Sequence, residues 1–446
     1  MKFVIIGGDA AGMSAASRAK RQQPDMNVIV LEKTADVSYS ACGMPYAIGD
    51  PQREMDGLIV RQADVFRRKQ GIDLLTSHTV QTIGPENRMV SGATSTGEPF
   101  SYDYDKLLIA TGASAIIPDL PGTGLPGVMV LKSLEEGRRI KNYIKDNNVK
   151  NAAIIGMGYI ALEMCEALRG LGIAVDMVKP RPTLLPWMHP DLARVVREEV
   201  EKNQVRIMAG HVIQKIETQK DGLTVVCENE NLQADMVLMA IGVAPNSDLA
   251  KTAGLELSAG GSIAADHHLR TSANNIFAAG DCADAFDVVT GKKTWVPLAL
   301  RANRAGWAVA DNVCGKDKAL PGIAGTAVFK VFNLEVARTG LTFKSAVDAE
   351  FNPAEVVIQT RSRAHDHPGS SAIFVHMVGD KKSGRLLGVQ MVGKDGVAHR
   401  INAPAVALFA KMTVDEFCQT DLAYAPPFGP TWDPVLTAAN QLLKKM

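Results

Sequence analysis

Residues 152–161 read Ala-Ala-Ile-Ile-Gly-Met-Gly-Tyr-Ile-Ala, and this stretch decides the fold. Gly156 and Gly158 begin a G-x-G-x-x-A pattern that lies between an apolar strand and a helix predicted over Leu162–Leu171. A further strand is predicted over 172–178. In such a unit the glycines let the backbone approach a pyrophosphate, which the free N–H groups of the helix N-terminus bind. The stretch therefore predicts an α/β domain that binds a dinucleotide.

The strand over 172–178 ends in Lys179-Pro180-Arg181. An acidic residue at this point would bind the 2′-hydroxyl of NAD, whereas two cations suit the 2′-phosphate of NADP. The sequence therefore favours NADPH, or the use of both nucleotides. A kcat/KM that favours NADH by about tenfold or more would contradict this hypothesis.

A second unit of this kind opens the chain. Lys2–Ile6 is typical of a buried strand, Gly7-Gly8-Asp9-Ala10-Ala11-Gly12 follows, and a helix is predicted over Met13–Arg21. The next predicted strand, Val28–Leu31, ends at Glu32, which would accept hydrogen bonds from a ribose. Asp9 departs from G-x-G-x-x-G, so a tight turn in an ordinary α/β domain remains a competing interpretation. Two dinucleotide sites in one chain indicate electron transfer between their occupants.

The composition argues against several classes of protein. The 446 residues include 48 basic and 48 acidic side chains, a balance that disfavours nucleic acid or an anionic membrane as the main partner. Apolar runs are too short to span a bilayer, and Lys2 leads into a strand rather than a signal peptide, so we expect a cytoplasmic protein.

Cys42 lies in the stretch Ser-Tyr-Ser-Ala-Cys-Gly-Met-Pro-Tyr at 38–46. A lone cysteine is usually a small buried hydrophobe, but this one comes shortly after the first nucleotide unit. The six cysteines form no Cys-x-x-Cys pair, and Pro45 and Ala47 stand where a second thiol could lie. If Cys42 does redox chemistry, its partner sulfur comes from a substrate or from far away in the chain.

Two polar clusters each allow two interpretations. Ser14, Arg18 and Arg21 share one helix face, which is either a solvated surface or a phosphate-binding surface beside the thiol. His365 and His367 flank an aspartate, but three ligands on one loop are more often a polar turn before Pro-Gly. We therefore predict no metal site.

Three strand ends complete the pattern: Ala-Thr-Gly at 110–112, Ala-Ile-Gly at 240–242 and Gly-Asp at 280–281. With both glycine turns in this order, the chain resembles the pyridine nucleotide–disulfide oxidoreductases over essentially its whole length. The resemblance implies FAD at the first site and NAD(P)H at the second.

Within that family the chain is similar to the single-cysteine branch, which includes coenzyme A disulfide reductases, NADH oxidases and peroxidases, and persulfide or polysulfide reductases. The match rests on residues 38–46 and on Leu-Ala-Tyr-Ala-Pro-Pro-Phe-Gly at 422–429, with 338–342 and 392–396 also fitting. Ala10 stands where the peroxidases have a histidine, which disfavours that activity. The resemblance implies coenzyme A as a thiol partner, whose phosphates need cations.

The resemblance also implies the site residues. For FAD these are Gly7, Gly8, Ala10, Ala11, Gly12, Glu32, Lys33, Cys42, Val80, Ala110, Thr111, Gly112, Gly280, Asp281 and Ala299. For NAD(P)H they are Gly156, Gly158, Tyr159, Ile160, Glu163, Lys179, Arg181 and Gly242. For substrate they are Ser14, Arg18, Arg21, Ser38, Lys69, Asn303 and His367. Cys42 and Tyr424, the latter from the second subunit of a homodimer, are the implied catalytic residues.

The expected reaction runs from NAD(P)H through FAD to sulfur at Cys42. As a thiolate, Cys42 would attack a disulfide, persulfide or polysulfide, and Tyr424 would protonate the leaving thiolate. The thiol needs a lowered pKa, which we expect from the helix N-terminus after Pro45 or from the flavin's surroundings. The chain departs from its relatives at 365–369, where His-Asp-His-Pro-Gly replaces a tyrosine-containing segment, and at Ala41, where asparagine is common.

The expected fold is α/β, with two Rossmann-like dinucleotide-binding domains and an α+β C-terminal dimerisation domain. We assign residues 1–110 and 245–320 to the FAD domain, 111–244 to the NAD(P)H domain and 321–446 to the dimerisation domain. The expected function is an FAD-dependent NAD(P)H reductase of a small-molecule disulfide, persulfide or polysulfide. Two alternatives stay open: an oxidase that reduces oxygen at the flavin, and a flavin-binding redox sensor.

Overall fold

The computed structural model describes residues 1–220 and 222–446. Within these ranges the helices are α1 Ala10–Gln22, α2 Met44–Ile48, α3 Ala63–Gln70, α4 Leu134–Asp146, α5 Tyr159–Gly170, α6 Pro190–Lys202, α7 Asp248–Thr252, α8 Ala299–Val313, α9 Phe343–Asp348, α10 Val397–Arg400, α11 Asn402–Phe409, α12 Val414–Cys418 and α13 Pro434–Leu443. Short 3₁₀ helices lie at Ala41–Gly43 and Met55–Leu58.

The strands of the first half are β1 Lys2–Ile6, β2 Asn27–Leu31, β3 Asp73–Leu75, β4 His78–Gly84, β5 Met89–Thr94, β6 Pro99–Asp103, β7 Lys106–Ile109, β8 Ala113–Ala115, β9 Val128–Val130, β10 Asn151–Ile155, β11 Ala174–Lys179, β12 Arg206–Ala209 and β13 Ile213–Gln219. Those of the second half are β14 Gly222–Cys227, β15 Leu232–Ala234, β16 Met236–Met239, β17 Val243–Pro245, β18 Ile276–Ala278, β19 Ala285–Phe286, β20 Lys293–Thr294, β21 Ala327–Val331, β22 Leu334–Gly340, β23 Pro353–Arg361, β24 Ala372–Asp380 and β25 Leu386–Gly393.

Two five-stranded parallel sheets form the nucleotide-binding units. The first has the order β18-β7-β1-β2-β3, and the second has the order β12-β11-β10-β16-β9. Their strands are continuous apolar runs, as expected for parallel strands covered on both faces. In such sheets ligands bind at the carboxyl ends of the strands, which is where both glycine turns lie.

The C-terminal unit is an antiparallel sheet of order β21-β22-β25-β24-β23 with helices packed on it. Two three-stranded antiparallel sheets, β4-β5-β6 and β13-β14-β15, accompany the parallel ones. The predicted fold class, two Rossmann-like units followed by an α+β unit, is confirmed. No helix in the described ranges has the length and apolar character needed to cross a bilayer.

The chain crosses from the first parallel sheet to the second and returns through two paired strands. β8 lies antiparallel to β17, with Ala113 opposite Pro245 and Ala115 opposite Val243. Strand β18, which follows the return, joins the first sheet beside β7. This topology supports the division into 1–110 plus 245–320, 111–244 and 321–446, which we retain as a proposal.

Local sequence signals explain several helix starts. Ser133 and Glu136 form a capping box at α4, and Thr413 and Glu416 form one at α12, so free N–H groups at each start are bonded.

Apolar packing joins the first, second and C-terminal units. Met44 and Ile48 of α2 belong to one buried cluster with Leu162 of α5 and Val331 of β21. The segment after Cys42 is therefore held between the first and second units.

Candidate active site around Cys42

The first glycine turn lies against the carboxyl end of β7. Gly7 has a φ of 111°, and a Cβ atom there would lie 2.2 Å from the Ala110 carbonyl oxygen. A Cβ atom at Gly12 would lie 1.9 Å from the Gly7 carbonyl oxygen. Only glycine allows this approach of turn, strand and helix. The turn places the N-terminus of α1, with Ala10 and Ala11, at the edge where a pyrophosphate would bind.

Glu32 ends β2 and is nearly fully buried. Its Oε2 accepts a hydrogen bond from the Gly8 N–H at 2.7 Å, and its Oε1 accepts from the Thr34 N–H and hydroxyl at 2.8 Å each. Oε2 therefore keeps a second lone pair for a ribose hydroxyl. A carboxylate fixed beside a glycine turn fits the FAD role that the sequence predicts. Lys33, the next residue, is exposed at the same edge.

Other predicted FAD residues line the neighbouring strand ends. Thr111 Oγ1 donates to the Asn246 carbonyl at 2.6 Å, and Asn246 Nδ2 donates back to the Thr111 carbonyl at 2.8 Å. Gly112 and Gly280 have φ values of 69° and 87°. Ala299 begins α8, and Val80 is buried in β4.

Charged groups that the sequence reasoning missed lie at this edge. Lys132 Nζ is 3.1 Å from Asp281 Oδ2. This ion pair joins Lys132, in the second unit, to Asp281, a predicted FAD residue of the first unit. Burial raises the pKa of Asp9 to about 6, with Lys132 acting in the opposite direction. Lys132 follows the end of β9, so the rule that ligands meet strand ends could have found it.

The second glycine turn repeats the geometry of the first. Gly156 has a φ of 124°, and a Cβ atom there would lie 2.2 Å from the Ala240 carbonyl oxygen. The corresponding space at Gly158 is open, which leaves room for a phosphate. Gly242, with a φ of 136°, follows β16, and Tyr159 and Ile160 open α5. The turn fits a dinucleotide as the sequence predicts.

The two predicted cations of this site differ in availability. Lys179 is buried, and its ammonium donates to the Thr183 carbonyl at 2.5 Å. Burial, and then the charge of Arg181, lower the pKa of Lys179. Arg181 is exposed. Arg181 is therefore the better placed of the two for a 2′-phosphate.

Cys42 lies in the 3₁₀ helix before α2 and is exposed and unpaired. The protein around its sulfur nevertheless raises the thiol pKa, chiefly by burial and next through the charge of Glu163. Lys132 acts in the opposite direction. The protein atoms alone therefore do not lower the thiol pKa as expected from the helix after Pro45, and the lowering expected from the flavin's surroundings stays a prediction. That helix, Met44–Ile48, is only five residues long.

Glu163 and Tyr46 form a proton-bearing pair next to Cys42. The Tyr46 hydroxyl donates to Glu163 Oε1 at 3.2 Å. Burial raises the pKa of Glu163 to about 7, so this carboxyl is partly protonated near neutral pH. Sequence reasoning assigned Glu163 only to NAD(P)H and missed Tyr46, although Tyr46 closes the stretch quoted around Cys42.

The predicted substrate residues on α1 fall into two groups. The Ser14 hydroxyl donates to Asn303 Oδ1 at 2.6 Å, so the structure brings these two together. Arg18 instead donates to both carboxylate oxygens of Asp311, at 3.0 and 2.8 Å. This partner lowers the pKa of Asp311 to about 2, so the pair is fully charged at neutral pH.

The remaining predicted residues are spread over the surface. Arg21 and Lys69 are exposed on α1 and α3. Ser38 has a φ of 50°, a left-handed conformation beside the cysteine stretch. Tyr424 and His367 lie in the C-terminal unit; Tyr424 is half exposed, and His367 Nδ1 lies 3.0 Å from the Pro368 carbonyl oxygen. No hydrogen bond among the described residues joins Tyr424 or His367 to Cys42.

Family models match nearly the whole chain. The model described as pyridine nucleotide-disulphide oxidoreductase matches residues 1–306, and the model of that family's dimerisation domain matches residues 326–434.

Individual proteins are similar to this chain over nearly all of its length. An NAD(P)H coenzyme A polysulfide/persulfide reductase from Pyrococcus horikoshii is 37% identical over 441 residues, which cover 99% of this chain and 98% of that protein. An NADH oxidase from Methanocaldococcus jannaschii is 34% identical over 450 residues, covering 100% and 99%. A solved structure of an NAD-dependent persulfide reductase from A. fulgidus is 35% identical with a TM-score of 0.96, covering 100% of this chain and 83% of that one.

Proposed function

The chain belongs to the pyridine nucleotide-disulphide oxidoreductases, and from this premise we propose that it reduces a small-molecule disulfide, persulfide or polysulfide through Cys42. Members of this family use FAD and NAD(P)H, and the two glycine turns fit these groups. The observation that carries the proposal is Cys42 itself. It is exposed and unpaired, and the segment that follows it is held between the two nucleotide-binding units.

Bound FAD supplies the redox chemistry by taking two electrons from NAD(P)H and passing them to sulfur. The chain's own residues handle sulfur and protons. We propose that the Cys42 thiolate attacks the substrate S–S bond, forming a mixed disulfide and expelling one thiolate. Two electrons then return Cys42 to a thiolate and release the second half of the substrate.

Proton transfer in this proposal needs groups on both sides of the thiol. The Tyr46–Glu163 pair can hold or release a proton near neutral pH, because the pKa of Glu163 is about 7. We further propose a homodimer, in which Tyr424 of the second subunit protonates the leaving thiolate. The matched dimerisation domain and the exposed side chain of Tyr424 support this arrangement.

We propose coenzyme A as the thiol partner, with Ser14, Asn303, Arg21 and Lys69 as the groups that bind it. The relative from Pyrococcus horikoshii is named a coenzyme A polysulfide/persulfide reductase, which supports this choice. An intact mass of the as-isolated protein without reductant tests it. We expect an adduct of coenzyme A mass on Cys42 that is lost on reduction. A protein isolated with only unmodified Cys42 would contradict a resting mixed disulfide.

Substitution of the thiol tests the reaction. We expect Cys42→Ser to lower NAD(P)H-dependent disulfide reduction by at least about 100-fold, because the attacking sulfur is lost. Cys314→Ser, which changes a partly buried cysteine on another element, is the matched control and should keep the activity. Undiminished disulfide reduction by Cys42→Ser would refute the proposal.

Oxygen reduction is the second candidate activity, since a relative 34% identical to this chain is named an NADH oxidase. The same variant separates the two. If the flavin alone reduces oxygen, Cys42→Ser keeps most NAD(P)H oxidation in air while disulfide reduction is lost.

We also propose a cytoplasmic location, because none of the six cysteines pairs with another in the chain, as is usual in a reducing compartment.

A further inference from the structure

Three potential metal ligands meet between the second nucleotide-binding unit and the C-terminal sheet. They are His189, just before α6, Glu355 on β23 and His376 on β24. One ligand atom from each lies within 4.8 Å of the others. None of the three belongs to the site around Cys42, and none was predicted from the sequence.

The surrounding structure holds these side chains in place. The backbone N–H of His189 donates to Gln390 Oε1 at 2.8 Å, and Gln390 Nε2 donates to the backbone carbonyl of Trp187 at 2.9 Å. Gln390 is buried on β25 directly opposite His376 on β24. One glutamine therefore ties the segment that carries His189 to the pair of strands that carries His376.

The donor groups are close but incompletely satisfied. His376 Nε2 lies 2.8 Å from Glu355 Oε2, and the His189 and His376 ring centroids are 4.7 Å apart. The His376 side chain is only 2% exposed, and its Nδ1 is buried without a hydrogen-bond partner. A buried polar atom without a hydrogen bond costs free energy of folding, so His376 Nδ1 is an atom that a bound ligand could satisfy.

We propose that His189, Glu355 and His376 bind one divalent transition-metal ion, with Zn²⁺ the best match. Two imidazoles and one carboxylate form a donor set that suits zinc, whereas Mg²⁺ and Ca²⁺ prefer oxygen ligands. Ligand atoms of a tetrahedral zinc lie about 3.4 Å apart, so atoms that are up to 4.8 Å apart would have to approach by up to about 1.4 Å. The pair His376 Nε2 and Glu355 Oε2, at 2.8 Å, would have to separate slightly. The fourth position is left for water.

Asp191 surrounds the outer nitrogen of His189. His189 Nδ1 accepts a hydrogen bond from the Asp191 backbone N–H at 3.2 Å, and Asp191 Oδ2 lies 3.7 Å from the same nitrogen. Metal binding through His189 Nε2 would place the ring proton on Nδ1, facing this carboxylate.

The ion would join two units of the chain. His189 ends the segment that begins at Arg181, the exposed cation of the NAD(P)H site. Metal binding would fix this segment against the C-terminal sheet, and it would raise thermal stability by binding the folded state. This role is separate from sulfur reduction, so its test does not depend on activity.

Cobalt titration of the chelator-treated, FAD-loaded protein tests the site. The background variant is Cys42→Ser, because a free thiolate would itself bind the metal. We expect one Co²⁺ per chain with a tetrahedral visible absorption band, displaced by one equivalent of Zn²⁺. We expect Glu355→Gln and His189→Ala each to weaken binding by at least about tenfold. Zn²⁺ should raise the Tm of the background protein but not that of Glu355→Gln.

The control removes two histidines outside the proposed site, with His365→Ala and His367→Ala combined. Retained cobalt binding in this control supports the proposal. Binding that is lost in the control, or that is unchanged in Glu355→Gln and His189→Ala, would overturn it. Absence of any visible band and of any Tm shift in the background protein would overturn it as well. Glu355→Gln keeps the shape of the side chain, so misfolding does not confuse the result.

Discussion

Glu163 is a carboxyl whose environment disfavours its charge. Burial raises its pKa from 4.5 to about 7, partly opposed by the hydrogen bond from Tyr46. A raised folded-state pKa means that the folded protein loses stability as the pH rises from about 4.5 to about 7, because the ionised form is penalised there. Below that window both folded and unfolded chains hold the proton, and the penalty vanishes.

We therefore expect Glu163→Gln to be more heat-stable than the wild type above pH 7 and equal to it near pH 4.5. Melting curves of both proteins from pH 4.5 to 8 measure the difference. Gln keeps the shape of the side chain and removes the charge. A Tm difference that is constant across this range would show that the carboxyl does not titrate as described.

Residue positions were predictable where a local pattern determined them. Glu32 ends a strand and follows a glycine turn, so its place was clear from sequence. The partner of Arg18 was not, because Asp311 lies 293 residues further along the chain. Only the fold brings α1 and α8 together and pairs Arg18, a predicted substrate residue, with the Asp311 carboxylate. The charge of Glu163 near Cys42, and with it the raised thiol pKa, is hidden from sequence for the same reason.

At the scale of elements, α1 and α8 approach backbone to backbone at Gly306. A Cβ atom at Gly306 of α8 would lie 2.2 Å from the Ala11 carbonyl oxygen and 3.1 Å from Ser14 Cβ. The helices can approach only because Gly306 has no side chain. The contact positions the start of α1, where the first glycine turn ends.

We expect Gly306→Ala to destabilise the protein by about 1–3 kcal/mol through overpacking, despite the better helix propensity of alanine. Gly170→Ala is the matched control, because Gly170 is also helical and has open space at its Cβ position. It should be neutral or stabilising by up to about 1 kcal/mol. Urea unfolding of both FAD-loaded variants measures the effect. Equal stabilities would mean that the two helices move apart without cost.

Element types were predicted better than element ends. The helix predicted over Met13–Arg21 begins earlier, at Ala10, because the turn closes directly into the helix through Gly12. Strand β22 at Leu334–Gly340 was not predicted as a strand. Buried and partly exposed residues alternate only in part along this strand. Its pairing with β21 and β25 cannot be inferred from the residues of the strand itself.

At the scale of the whole molecule, apolar surface is left uncovered on the C-terminal unit. Val406 and Phe409 of α11 are 67% and 41% exposed, and Phe428 and Trp432 are 78% and 60% exposed. Together with the matched dimerisation domain, these exposed apolar side chains favour the C-terminal unit as the contact between the two subunits of the proposed homodimer.

We expect Val406→Glu to shift the protein from dimer to monomer, because a charge would be buried at the subunit contact. Light scattering after size-exclusion chromatography measures the mass. Val212→Glu, at an exposed apolar residue of the second unit, is the control and should stay dimeric. A dimer that survives Val406→Glu but not Val212→Glu would place the subunit contact on the second nucleotide-binding unit instead.

The paired strands β8 and β17 have a consequence for how this architecture can change. Their residues lie opposite one another, and Thr111 and Asn246 exchange hydrogen bonds just beyond them. The long excursion between them therefore leaves and re-enters the first unit at neighbouring points. Because its two ends lie close together, a segment of this kind can be inserted in a chain without displacing the strands on either side.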